Sequence, residues 1–587
     1  MLSVTYLFTR FCPSTANYFI LIMLNSLSHY LQSNQAPSEN ETREIKALRA
    51  IPLEEISVID VEIEQVEGIL NSLKRKRAHI QESIDNFNTI LAPVRRLSMD
   101  VLSVIFNHCL ATHRNPVMSA SEAPILLTQI CHDWRSIALS IPRLWSRLYI
   151  PTWSRPLHYR PEDLPYVLER ERRRMEARIE EVQRWLRLSA ACPLAITMMQ
   201  AGDTVFHPSL LDSIIQSSRH WQQLELNLSP DSIVLTRLLS LSPDDLCLLR
   251  ELRIALDGRA QEVQEDLLYQ SGLLSAQGLR SISIANIQTD ALPASIPPNW
   301  KNLNHLFIHS PILLGLAHRM LSYCCDLVAC LLEIADEIEI ILDTTITVSD
   351  ASITLSPCIL PHLTFLSLGG DLTGCSQLFS SIEAPSLQIL DYQGHFPSEP
   401  EEFGLLNLLQ NINSLETLRV DNHRFTEINI LKCSTLIPSV TNLVLGRLPI
   451  RSHRYHRSHP KYVTLVTALQ QYSPDSTPTV LFPSLEVFEA YDISGVTDIM
   501  LLEFIKARID AAKSNAGVSK LKKVLVIFSR TSQTDIVPEA LSYAQAAGIK
   551  LDLDLTYHRE ILDSDTTCSS PPSFGLSNDV SWIYPLY

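Results

Sequence analysis

Apolar residues recur along this chain with three different periods, and each period marks a different stretch. Ile59, Ile63, Val66, Leu70, Leu73, Arg77, Ile80, Ile84, Phe87 and Leu91 are separated by alternating steps of four and three. That spacing predicts a coiled-coil helix over 54–92, with Arg77 at a seam position where it can set register or orientation. The helix can pair with a second copy or fold back on its own chain. A second pattern follows over 93–150. Ser98 can cap a helix whose first turn holds Asp100 and whose apolar stripe is Val101, Leu102, Val104, Ile105 and Phe106. Beyond Pro116 and Pro124, the spacing of Leu126, Leu127, Ile130, Trp134, Ile137 and Ala138 predicts a second helix, stopped by Pro142 and followed by the apolar anchor Leu144–Trp145. The third pattern, apolar-x-x-apolar-x-apolar, fills residues 191–560. It begins at Trp221, Leu249, Leu279, Leu303, Leu327, Leu363, Leu387, Leu415, Val440, Leu485 and Leu521.

The starts of that third pattern lie 28, 30, 24, 24, 36, 24, 28, 25, 45 and 36 residues apart. Most of these intervals are in or near the leucine-rich-repeat range of about 20–29. Alternating apolar positions suit one short strand per unit. Segments such as Leu210–Gln216, Thr464–Gln471 and Met500–Ala512 suit helices on the other side. The expected product is an α/β leucine-rich-repeat-like solenoid with a parallel sheet on its concave face. The Asn that usually follows each strand is mostly missing, and the longer intervals imply insertions.

Two helices over 93–150 carry more apolar surface than so small a unit can hide, so they pack onto the chain's own downstream domain or need a partner protein. Their residues indicate one. Arg95-Arg96-Leu97-x-x-Asp100-Val101-Leu102-x-x-Ile105-Phe106, then Leu127-x-x-Ile130-Cys131-x-x-Trp134-Arg135-x-Ile137-Ala138, then Pro142-x-Leu144-Trp145, resemble an F-box. The stretch is most similar to the F-box proteins that mushroom-forming fungi carry in large numbers. Ser98 stands where that family has Pro and Asp100 where it has Glu; the hydrophobic and Trp positions match. The resemblance implies an all-α F-box docked to a Skp-type adaptor, with Leu97, Val101, Leu102, Ile105, Phe106, Trp134, Ile137, Leu144 and Trp145 as adaptor contacts or the core beneath them.

Bulk properties narrow the field. A chain of 587 residues suggests two to four domains, and 46% hydrophobic with 19% charged residues describes a folded protein. A net charge of −16 argues against nucleic acid and anionic membranes as partners. Twelve cysteines lie at irregular positions without a C-x-x-C pair, which suits buried thiols in a reducing compartment. Sixteen glycines are few for this length, and there is no G-x-G-x-x-G or P-loop. The apolar run Tyr18–Leu24 is too short to span a bilayer. Residues 1–45 read as a poorly defined N-terminus with a polar linker at 31–45, and 561–587 as a tail ending in Trp582–Tyr587.

Other candidate chemistry is weak. Lys74–Arg77 reads as a solvated basic patch rather than a nuclear signal. Within 151–190, a connector and a charged helix from Leu168 to Leu188, seven arginines are interleaved with five glutamates, which describes a surface helix. Asp336, Glu337, Glu339 and Asp343 suit a solvated strand edge, and His453, His456 and His459 an insertion, rather than metal sites. No nucleophile elbow or H-E-x-x-H occurs. These readings describe an α+β multi-domain protein without cofactor or catalysis, and the F-box resemblance implies a cytoplasmic or nuclear substrate receptor of a cullin–RING (SCF-type) ubiquitin ligase. The F-box would hold the adaptor and the solenoid an unspecified substrate protein. The alternative is a coiled-coil and repeat scaffold whose F-box no longer binds the adaptor.

Overall fold

The structure, a computed structural model, describes residues 35–151, 164–200, 208–229, 233–256, 271–286, 296–335, 355–372, 375–395, 405–420, 427–446, 481–493, 496–514, 517–528 and 530–557, with Tyr30 and Ser33. The Tyr18–Leu24 run, the 336–343 carboxylates, the 453–459 histidines, the helix expected at 464–471 and the tail after 561 lie outside these residues. The chain divides into two compact units, Met1–Val101 and Leu102–Tyr587.

The first unit is dominated by helix α1 (Glu39–Leu91), 53 residues long. It starts fifteen residues before the expected position 54, inside the stretch read as a linker. The reason is a capping box: the Ser38 hydroxyl accepts from the Glu41 amide at 3.4 Å, and the Glu41 carboxylate accepts from the Ser38 amide at 2.9 Å. The helix runs through Pro52 and stops at Ala92, whose extended ψ of 126° is what a following proline imposes. A 3₁₀ turn, Pro93–Arg96, leads to Ser98, and the Val101 amide donates to the Ser98 hydroxyl at 3.5 Å, the cap expected for the next helix, α2 (Met99–His108). Among the described residues no helix is long and apolar enough to cross a membrane.

In the second unit the expected second helix is broken in two. α3 (Leu127–Ile130) and α4 (His132–Ser140) are separated by Cys131, which is extended at φ −156° and ψ 172°. The Cys131 sulfur takes the N-cap place, accepting from the Trp134 amide at 3.5 Å. A 3₁₀ turn, Pro142–Trp145, then delivers the chain straight into strand β1 (Arg147–Pro151).

From there the described residues form a parallel sheet of fourteen strands. They are β1, β2 (Leu194–Met199), β3 (Trp221–Leu228), β4 (Glu251–Leu256), β5 (Ser281–Ala285), β6 (His305–Ile312), β7 (Ala329–Ile334), β9 (Phe365–Asp371), β11 (Ile389–His395), β12 (Thr417–Val420), β13 (Asn442–Leu445), β14 (Val487–Ile493), β15 (Lys523–Phe528) and β16 (Asp552–Tyr557). Each neighbours the next in chain order; β8 (Cys358–Ile359) and β10 (Ile382–Glu383) pair separately. All eleven apolar units fall on strands of the large sheet. Their middle positions stack in register as Leu224, Leu252, Ile282, Leu306, Cys330, Leu366, Leu390, Leu418, Leu443, Phe488 and Val524. Every one of these side chains is buried. A residue pair two positions apart points to the same face of a strand, so the motif supplies two stacked apolar layers per unit.

Helices fill connections on the way: α5 (Leu164–Leu188), α6 (Pro208–Ile215), α7 (Ile233–Leu239), α8 (Leu314–Tyr323), α9 (Ser376–Ser381), α10 (Leu405–Gln410), α11 (Glu427–Leu436), α12 (Asp498–Ser514) and α13 (Val537–Ala546). The border expected at 150/191 is not a border of packing. β1 pairs with β2, Leu148 opposite Ile196, and one hydrophobic core runs from Leu102 through the sheet to Leu551. The coarse expectation of N-terminal helices followed by a large α/β repeat-like sheet is what the chain forms.

Candidate protein-docking segment

Residues 102–145 supply the N-terminal end of that single core. On α2, Leu102 and Phe106 lie one turn apart and are buried, as is Leu110 just beyond. The Phe106 ring meets the Trp134 ring with centroids 4.8 Å apart and planes tilted by 54°, which fixes α2 against α4. At the C-terminal end Leu144 is fully buried, and the Trp145 indole N–H donates to the Ala138 carbonyl at 2.9 Å. Trp145 also meets Trp185 of α5 edge-on, centroids 4.9 Å apart.

Polar clamps seat the intervening loop on the first two strands. Arg114 and Glu122 form a two-pronged ion pair at 3.0 and 2.7 Å. The Asn115 amide donates to the Ala195 carbonyl at 3.2 Å and the Thr197 hydroxyl at 2.9 Å. Arg147 donates to the Asn115 side-chain oxygen and the Arg114 carbonyl, both at 3.0 Å. Burial, helped by the Glu225 carboxylate, pushes the Tyr149 phenol up to about 12, so it stays a neutral donor, to Met199 Sδ at 2.9 Å.

The nine residues singled out in the sequence therefore divide. Leu102, Phe106, Leu144 and Trp145 are core, and Trp134 and Ile137 are half-buried against it. Ile105 is exposed at 37%, and in the first unit Leu97 and Val101 are exposed as well. Three further apolar side chains are more open than expected: Val104 at 58%, Leu126 at 40% and Ile130 at 53%. Leu126 and Ile130 read as part of the buried stripe of one continuous helix. The break at Cys131 removes α4 from that stripe, so Leu127 and Ala138 go inward while Leu126 and Ile130 face solvent. On α2 beyond Val101 the exposed apolar side chains are Val104 and Ile105, off the stripe formed by Leu102 and Phe106.

The segment offers little to a small molecule. The cavity between it and α5, lined by Ile125, Thr128, Leu139, Trp145, Glu181, Arg184, Trp185 and Leu188, has about 110 Å³, well below the ~300 Å³ at which ligand sites begin. No group of three or more His, Cys, Asp or Glu suited to a metal occurs among the described residues. The expectation of buried thiols holds for some of the cysteines. Cys324, Cys330, Cys358, Cys375 and Cys433 are buried, whereas Cys109, Cys131, Cys247 and Cys325 are exposed. Burial pushes the thiols of Cys324 and Cys433 up to about 12, where they are not nucleophiles.

No protein-family model matches the chain, and no curated protein matches it. Residues 102–145 form a helical segment packed into the core and clamped to the first strands, with Val104, Ile105, Leu126 and Ile130 left exposed.

Proposed function

We propose that this protein is a substrate receptor of a cullin–RING ubiquitin ligase, its 93–150 segment an F-box that docks a Skp-type adaptor and its leucine-rich-repeat-like sheet domain a platform for a substrate protein. The observation that carries the reading is the exposure of Val104, Ile105, Leu126 and Ile130 on a helical unit whose core is already filled by Leu102, Phe106, Leu144 and Trp145. Large aliphatic side chains left in water on short helices are what a helix-in-groove partner covers. The clamps from Arg114, Asn115 and Arg147 hold the unit in one orientation to the sheet, which a receptor needs in order to present substrate. Such a protein does no chemistry itself; it raises the local concentration of substrate near the ligase.

The test is capture of a purified Skp-type adaptor by the full chain, comparing wild type with Ile105→Asp and Ile130→Asp. Both positions are exposed, so the variants keep the wild-type melting temperature while losing adaptor, because a carboxylate placed in an apolar interface costs several kcal/mol. Wild type that stays unbound at about 10 μM adaptor, roughly −7 kcal/mol of affinity or weaker, sinks the receptor reading and leaves the scaffold.

A further inference from the structure

We infer that α1 is a homotypic docking element that pairs with α1 of a second copy in the antiparallel sense. This rests on the first unit alone and is independent of the adaptor reading. Every side chain from Leu53 to Glu82 is exposed, including the whole of that part of the apolar seam. A single helix this long with an unpartnered heptad stripe is short of a mate, because isolated helices draw little stability from propensity alone.

Charge selects the mate and its direction. Between Leu53 and Gly68 the helix carries six carboxylates and no cation, and Lys74 to Arg77 are four consecutive cations. In a parallel, in-register pair the seam residue Arg77 would face Arg77 of the second copy, and Glu62 would flank Glu67. Both contacts are repulsive. Turning one helix round, with Leu70 opposite Leu73 and the two-fold axis between Asn71 and Ser72, keeps the seam intact. It sets Arg77 opposite Val66 and Lys74 beside Glu67, each twice by symmetry, so the acidic half of each helix lies along the basic patch of the other. The overlap from Pro52 to Leu91 is about 60 Å long at 1.5 Å per residue. A protein of another kind would need the mirrored charge pattern; this helix already contains it.

Sedimentation equilibrium of the full chain tests the inference. Wild type is expected as a dimer in the micromolar range and Leu70→Asp as a monomer, both with the same far-ultraviolet dichroism of the sheet unit. Glu67→Lys should weaken the dimer about tenfold, since two flanking pairs turn repulsive, and Glu67→Lys combined with Lys74→Glu should restore it. A parallel pair predicts the opposite sign, because Glu67→Lys would then relieve the clash with Glu62. Tightening by Glu67→Lys, a dimer that survives Leu70→Asp, or a wild-type monomer at about 50 μM would each overturn the proposal.

Discussion

Trp145 and Trp185 meet edge to face, with ring centroids 4.9 Å apart and planes at 79°. One ends the helical segment, the other belongs to the charged helix α5, and both are buried. This contact joins what the sequence reads as two separate regions. The Trp185 indole N–H has no acceptor among the described residues, so its contribution is packing alone. Trp185→Ala should therefore lower stability of the sheet unit by about 3–5 kcal/mol, read as a drop in urea midpoint. A shift worth under about 1 kcal/mol would mean that the segment is held by its polar clamps instead.

The same geometry separates two kinds of variant in the helical segment. Leu102→Asp and Leu144→Asp put a carboxylate where exposure is 6% and 0%, respectively, and are expected to unfold the segment, since an unpaired buried charge costs several kcal/mol. Their loss of any partner would say nothing about an interface. Val104→Asp, at 58% exposure, should change stability by no more than about 0.5 kcal/mol. Thermal unfolding of the three variants side by side checks the division; an unfolded Val104→Asp would show that this face is covered within the chain.

How far the sequence was legible follows from where the chain's periods are clean. The eleven strand units could be read because parallel neighbours in register demand the same two inward positions each time. The flanking strands fall outside the eleven units for a local reason. β1 does carry the pattern, Trp145-x-x-Leu148-x-Ile150, but it begins inside the F-box-like motif and was absorbed by it. β2 and β16 have Pro193 and Lys550 where the leading apolar residue belongs. The helix break at Cys131 could not be read from spacing, since Leu126 to Ala138 fits a continuous 3.6-residue period. That single extended residue reassigns Leu126 and Ile130 from core to surface. Of the residues implied by the F-box resemblance, type alone did not separate Ile105, which is exposed, from Phe106, which is buried beside it.

Asp498, at the start of α12, is fully buried and has four donors. Its Oδ1 accepts from Arg530 at 2.7 Å and the Tyr557 hydroxyl at 3.2 Å, and its Oδ2 from the amides of Gln533 and Thr534, both at 2.8 Å. Burial works against its charge, but Arg530 and the two amides outweigh it and hold the carboxyl below its ordinary range. A depressed pKa gives stability that is complete above the unfolded value, about 4, and lost as pH falls through the folded one. Asp498→Asn should cost about 3 kcal/mol at pH 7. The gap between wild type and variant should then narrow below about pH 4. A gap in urea midpoint that stays constant from pH 7 to pH 3 would refute the assignment.

Thiol accessibility gives a map of the sheet core. Cys330 and Cys433 are completely buried and their pKa values are raised by that burial, whereas Cys109, Cys131, Cys247 and Cys325 are exposed. Under native conditions an alkylating reagent should modify the four exposed cysteines within minutes. Cys324, Cys330, Cys358, Cys375 and Cys433 should react only as fast as the sheet unit opens. Peptide mass spectrometry reads each site. Early labelling of Cys330, which lies in the central apolar stack, would show that the sheet opens locally there.

Gly68 offers a test of α1 that leaves its apolar seam untouched. It lies in mid-helix on the face away from Leu70 and Leu73, and a Cβ added there meets nothing within 4 Å. Glycine in a helix interior is about 1 kcal/mol worse than alanine, because its backbone has more freedom to lose. Gly68→Ala should therefore slow amide exchange in the surrounding turns about fivefold, the factor that 1 kcal/mol corresponds to. Gln65→Ala supplies the control, since Gln65 is exposed, lies off the seam and its flanking charges, and leaves the glycine in place. If Gly68→Ala leaves exchange unchanged, α1 is not a continuous helix at that point in solution.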